Sequence, residues 1–123
     1  MRKTASLFLL AVVCLLASPG CYYDNEEELY PNSFCDTVNV TYSGAVSTII
    51  NTNCAVPGCH VAGGTGTGNF TIYNDLKALV DNGRLLPSVR WESGAIPMPT
   101  SGKLRDCDVR QLEIWVAAGA PNN

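Results

Sequence analysis

Two thiols and an imidazole fall within one short stretch of this chain, Cys54-Ala55-Val56-Pro57-Gly58-Cys59-His60. In a Cys-x-x-Cys-His motif the two thiols add to the vinyl groups of a haem, and the adjacent histidine becomes the proximal iron ligand. Here four residues separate the cysteines instead of two. Pro57-Gly58 can fold the two extra residues into a turn, so both thiols can still reach their vinyls. The Cys59-His60 junction, which sets the imidazole beneath the macrocycle, is unchanged. A second landmark is Ile96-Pro97-Met98-Pro99, whose methionine lies 38 residues after His60. Methionine sulfur is a common sixth ligand of electron-carrying haem. The flanking prolines fix their own φ and push the preceding residues towards extended geometry, which suits rigid presentation of one side chain.

Other chemistries stay open at this point. Cys54 and Cys59 can form a local disulfide in an exported chain. Cys35, Cys54, Cys59, His60 and Cys107 can together supply a zinc site, although adjacent Cys-His ligands sit awkwardly on one tetrahedral ion. Met98 can simply fill a core. His60 is the only histidine, which excludes a His-rich metal centre and leaves a Ser/His/Asp hydrolase only formally possible.

The elements that must hold these groups are few. The 123 residues suit one domain, and 46% hydrophobic against 15% charged residues excludes wholesale disorder. Three helices are expected. The first runs from about Ser43 to Asn53, with Val46, Ile49 and Ile50 at i, i+3, i+4 spacing. The second runs from about Asn74, as cap, to Asn82. It carries Leu76, Leu79 and Val80 on its apolar face and Gly83 as its stop. The third opens near Asp106 or Asp108, presents Val109, Leu112, Trp115 and Val116, and ends at Gly119 and Pro121. A glycine-rich loop, Gly63 to Gly68, joins the first two, and a longer irregular segment holding Pro87, Pro97, Met98 and Pro99 joins the last two. No run alternates like a strand. Three short helices bury little apolar surface, so a prosthetic group or cross-links must complete the interior.

The start of the chain is an address. Arg2 and Lys3 precede a ten-residue apolar stretch, Leu7 to Leu16, too short to span a bilayer, and then Ala17-Ser18-Pro19-Gly20-Cys21. Residues 1–20 are therefore expected to be a signal peptide. The small residues before Cys21 resemble a bacterial lipoprotein signal, which implies acylation of Cys21 and a lipid anchor in the cell envelope. Residues 21–34 read as an acidic tether, with Asp24, Glu26, Glu27 and Glu28, similar to the surface-export signals of Bacteroidota lipoproteins. The formal net charge of −3 argues against a nucleic-acid-binding surface.

From about Val40 onward the chain resembles the small cytochrome c domains of bacterial envelope proteins, closest to planctomycete-type and Bacteroidota cytochrome c-like domains. The shared features are the helix ending in the cysteine motif, the glycine-rich loop after His60, the Met-Pro segment and the final Glu113-to-Pro121 stretch. The resemblance implies an all-α, class I cytochrome c-like domain over residues 35–123, with first and last helices crossing beside one covalently attached haem c. By match of position, Cys54 and Cys59 are the thioether residues, His60 the proximal ligand and Met98 the distal one. Cys35 precedes the first helix and Cys107 opens the last. The elements such a fold brings together would place these two cysteines in a disulfide, worth roughly 4 kcal/mol at most for its span. The implied function is single-electron transfer to redox protein partners in the envelope, without catalysis. The alternatives are a haem enzyme with an open sixth position and a haem-free, disulfide-stapled surface lipoprotein.

Overall fold

The computed structural model describes residues 35–123. The expected signal peptide 1–20, the acylated Cys21 and the tether 21–34 lie outside the described residues. Among the described residues the protein is all-α, without strands, and no helix is long and apolar enough to cross a membrane.

Thr41 opens the first helical segment, its hydroxyl accepting the amide of Gly44 at 3.2 Å. One wide turn of π-helix, Tyr42–Val46, runs directly into α1, Ser47–Asn53. The expected apolar face is the buried one: Val46, Ile49 and Ile50 are all in the core. Helix α2, Tyr73–Asp81, starts one residue before the expected cap, with Ile72 at the N-cap position. Asn74 thus sits inside the first turn. Tertiary contacts override the local capping preference here, because Tyr73 donates its hydroxyl to the Ala120 carbonyl at 2.8 Å and packs edge-on against Tyr42. Gly83, at φ 72°, ends α2 as expected: its amide donates to Val80 and that of Arg84 to Leu79, a Schellman closure.

The three expected helices become four. Leu85–Arg90 forms α3 within the segment read as irregular. Pro87 occupies the first turn, where its missing N–H has no intrahelical acceptor to lose, so it does not break the helix. Leu85 and Val89, one turn apart, bury into the core. The end of α3 is unusual. Trp91 takes the left-handed position, φ 59° and ψ 43°, that glycine fills at the ends of the other closures. An L-residue there costs about 1–2 kcal/mol. Helix α4, Asp106–Ala117, carries Asp106 and Asp108 in its first turn and buries Leu112 and Trp115 completely. Arg105 grips the buried Asp108 carboxylate with both Nε and Nη2.

The packing joins the two ends of the domain. The π-turn lies against α4, α4 against α3, and α3 against α2. Tyr42 stacks on Trp115 with ring centroids 5.9 Å apart. The Trp115 indole donates to the Pro121 carbonyl, and the amide of Ser43 donates to the carbonyl of Asn123. Cys35 and Cys107 are bonded, S–S 2.01 Å, which fastens the start of the domain to α4.

Candidate cofactor site

The core is incomplete on one side. A cavity of about 730 Å3 opens between the end of α1, the glycine-rich loop, α2, α3 and the Met98 segment. Its size falls within the range of about 300–1,000 Å3 usual for cofactor sites. Cys54, Cys59, His60 and Met98 all line it. The structure therefore brings the four sequence-derived site residues around one space, and keeps Cys35 and Cys107 apart from them as a disulfide.

Cys54 caps α1, its amide donating to Ile50 at 2.8 Å. The two extra residues between the thiols are taken up by a turn over Val56–Cys59, closed by the Cys59 amide on the Val56 carbonyl at 3.0 Å. Pro57 stands second and Gly58 third with φ 83°, the type II pattern. The amide of His60 then returns to the Cys54 carbonyl at 3.2 Å, closing the loop that carries both cysteines. Cys54 is buried and Cys59 exposed, and both are free thiols. Burial, with the nearby Cys59 adding to it, pushes the Cys54 thiol up to about 11.

The glycine-rich loop folds back over this stretch. Thr65 donates both its amide and its hydroxyl to the Gly58 carbonyl, and the Gly66 amide donates to that of Cys59. Two glycines permit the approach. A β-carbon at Gly64 would overlap the Cys59 carbonyl oxygen at 1.9 Å, and one at Gly66 would press on the His60 ring. The loop delivers the Thr67 carbonyl to Nδ1 of His60 at 3.0 Å. A carbonyl only accepts, so Nδ1 carries the proton, and Nε2 keeps its lone pair in the neutral ring. This is the arrangement that fixes the tautomer and orientation of a metal-ligating imidazole. The buried Phe70 lies flat against the same ring, centroids 4.1 Å apart, and its amide donates to the His60 carbonyl.

Met98 is held by the helix that the sequence did not reveal. Its amide donates to the Ser88 carbonyl of α3 at 3.1 Å, and its carbonyl accepts the Trp91 indole N–H at 3.3 Å. Leu85 and Val89 of α3 and Leu79 of α2 supply apolar wall.

Thr67, Gly66, Phe70, Ser88 and Trp91 were not singled out by sequence. The available signal for the first three was the alternation of glycines immediately after His60. With Cys35 and Cys107 bonded, the five-residue zinc set loses two donors. Among the described residues no three His, Cys, Asp or Glu side chains converge to hold a metal ion. The site thus offers one imidazole nitrogen, one thioether and two thiols around an apolar space. Comparison with family models, with curated proteins and with solved structures finds no match for this chain.

Proposed function

We propose that this protein is a monohaem c-type cytochrome with a small class I cytochrome c-like fold, anchored through Cys21 in a bacterial envelope and carrying single electrons between redox protein partners. The observation that supports it best is the donor set around one cavity: His60 with Nδ1 tied to Thr67, Met98, and the two free thiols of Cys54 and Cys59. An imidazole and a thioether are the axial pair that suits an electron-carrying haem, so the residues fit the group.

Haem c bound here supplies a one-electron ferric/ferrous couple. The chain's own residues do the rest. Cys54 and Cys59 would hold the two thioether links, His60 Nε2 the proximal position and Met98 sulfur the distal one. The Thr67 carbonyl and the Phe70 ring fix the imidazole's tautomer and plane. Leu79, Leu85 and Val89 line the apolar side and would cover the face of the group there. With no histidine besides His60, the cavity has no distal imidazole to act as acid or base.

The test is spectroscopic. Protein co-expressed with a haem-attachment system should keep its colour through denaturation and acid-acetone extraction, and should show a weak far-red band when ferric. Met98→Ala should keep the covalent haem, lose that band, bind cyanide or carbon monoxide far more readily and show a lower potential. Complete extraction of the colour would leave the haem-free lipoprotein. A wild-type protein that is already high-spin would instead favour the haem enzyme with an open sixth position.

A further inference from the structure

We infer that Trp91 is a positioning residue for Met98, holding the thioether segment against the end of α3. The inference rests on the haem reading of the cavity and goes beyond its ligand set.

Three observations converge on this residue. Trp91 occupies a left-handed backbone position, φ 59°, at the closure of α3, where its amide donates to Ser88 and that of Glu92 donates to Pro87. Helices α2 and α4 make the same closure with Gly83 and Gly119. A bulky side chain retained in a strained conformation points to a constraint that glycine does not meet. The constraint visible here is the indole. Its Nε1–H donates to the Met98 carbonyl, while the Ser88 carbonyl from the same helix end accepts the Met98 amide. Both main-chain polar groups of Met98 are thereby tied to one rigid turn. Lys103 lies over the indole ring, with Nζ 5.8 Å from its centroid. An indole fixed by helix, carbonyl and cation holds Met98 in place without touching the cavity chemistry itself. Loosening it should free the thioether to leave its position more often.

Two variants separate the parts of this argument. Trp91→Phe keeps the ring and the backbone constraint but removes the donor. Trp91→Gly suits the left-handed backbone and drops the ring, so it remains informative if the first variant does not fold. Haem-loaded full-length protein is read by the ferric far-red band, by the rate of cyanide capture, and by amide hydrogen exchange at Met98. Both variants should keep covalent haem and native circular dichroism. Their cyanide capture and Met98 exchange should quicken roughly three- to tenfold, the weight of one net hydrogen bond, with a weakened far-red band. Variants that match the wild type in cyanide capture and exchange overturn the inference. If the wild type is high-spin from the outset, the ligand role of Met98 fails. Exchange at Met98 then decides the clamp alone: faster exchange in the variants upholds it and unchanged exchange rejects it.

Discussion

Gly66 lies so close to His60 that a β-carbon on it would stand 2.7 Å from Nδ1 and 2.8 Å from Cε1, pressed against the imidazole ring that Thr67 holds through Nδ1. Gly66→Ala must therefore push either the imidazole or the loop. The variant should lose about 1–3 kcal/mol of stability, as overpacking does, and, on the proposed haem reading, its ferric spectrum should shift towards high spin. Urea unfolding and absorbance check both. An unchanged spectrum would separate the loop from the tuning of His60.

The two free thiols should differ sharply in reactivity. With its thiol pushed up to about 11 by burial, Cys54 is ionised to roughly one part in a thousand at pH 8, and the thiolate is the reactive form. In haem-free protein at that pH, iodoacetamide should modify the exposed Cys59 first and reach Cys54 only under unfolding conditions. Peptide mass spectrometry reads the order, and equal labelling would contradict the burial.

Arg90 of α3 holds Glu113 of α4 by Nε at 2.9 Å and Nη2 at 2.7 Å, with Arg110 also bonded to the same carboxylate. The hydrogen bond from Arg90 lowers the Glu113 carboxyl below its ordinary value of 4.5. A depressed acid contributes stability in full above its unfolded value and loses it as the pH falls through the folded one. Glu113→Gln should therefore cost about 0.5–1 kcal/mol at pH 7, and the gap from wild type should close below about pH 4. Urea midpoints across that range test the sign.

Opening the Cys35–Cys107 bond should destabilise the domain by up to roughly 4 kcal/mol, since it closes a span of 72 residues. The Cys35→Ser, Cys107→Ser double variant should unfold at lower urea and, on the proposed haem reading, still attach the group, since neither cysteine lines the cavity. Non-reducing peptide mapping of the wild type should show only these two cysteines linked.

Cys21→Ala should release the protein from the membrane fraction into the soluble envelope fraction, because the acyl chains are the expected anchor. Unchanged partitioning would sink the lipoprotein reading.

Sequence spacing revealed what is local. The i, i+3, i+4 apolar triplet predicted the buried face shared by the π-turn and α1, and the glycines at 83 and 119 marked where α2 and α4 stop. The four cavity residues were legible because adjacent Cys-His and proline-flanked Met are chemically distinctive runs. Helix α3 was not legible, because Pro87 reads as a breaker unless its place in the first turn is known. The start of α2 was misplaced because the pull of Tyr73 towards Ala120 comes from 47 residues away. Partners such as Phe70 for His60 and Trp91 for Met98 depend on where loops return, which periodicity does not encode.

Residues 35–107 form a closed covalent ring, since Cys35 and Cys107 are bonded to each other. Cys54, Cys59, His60 and Met98 all lie inside that ring. Tension applied between the chain before Cys35 and the chain after Cys107 would therefore cross the sulfur–sulfur bond and enter α4 directly. The loops that shape the cavity would bear none of that load. A pull applied in this way would pass through the last helix and leave the cavity mechanically slack.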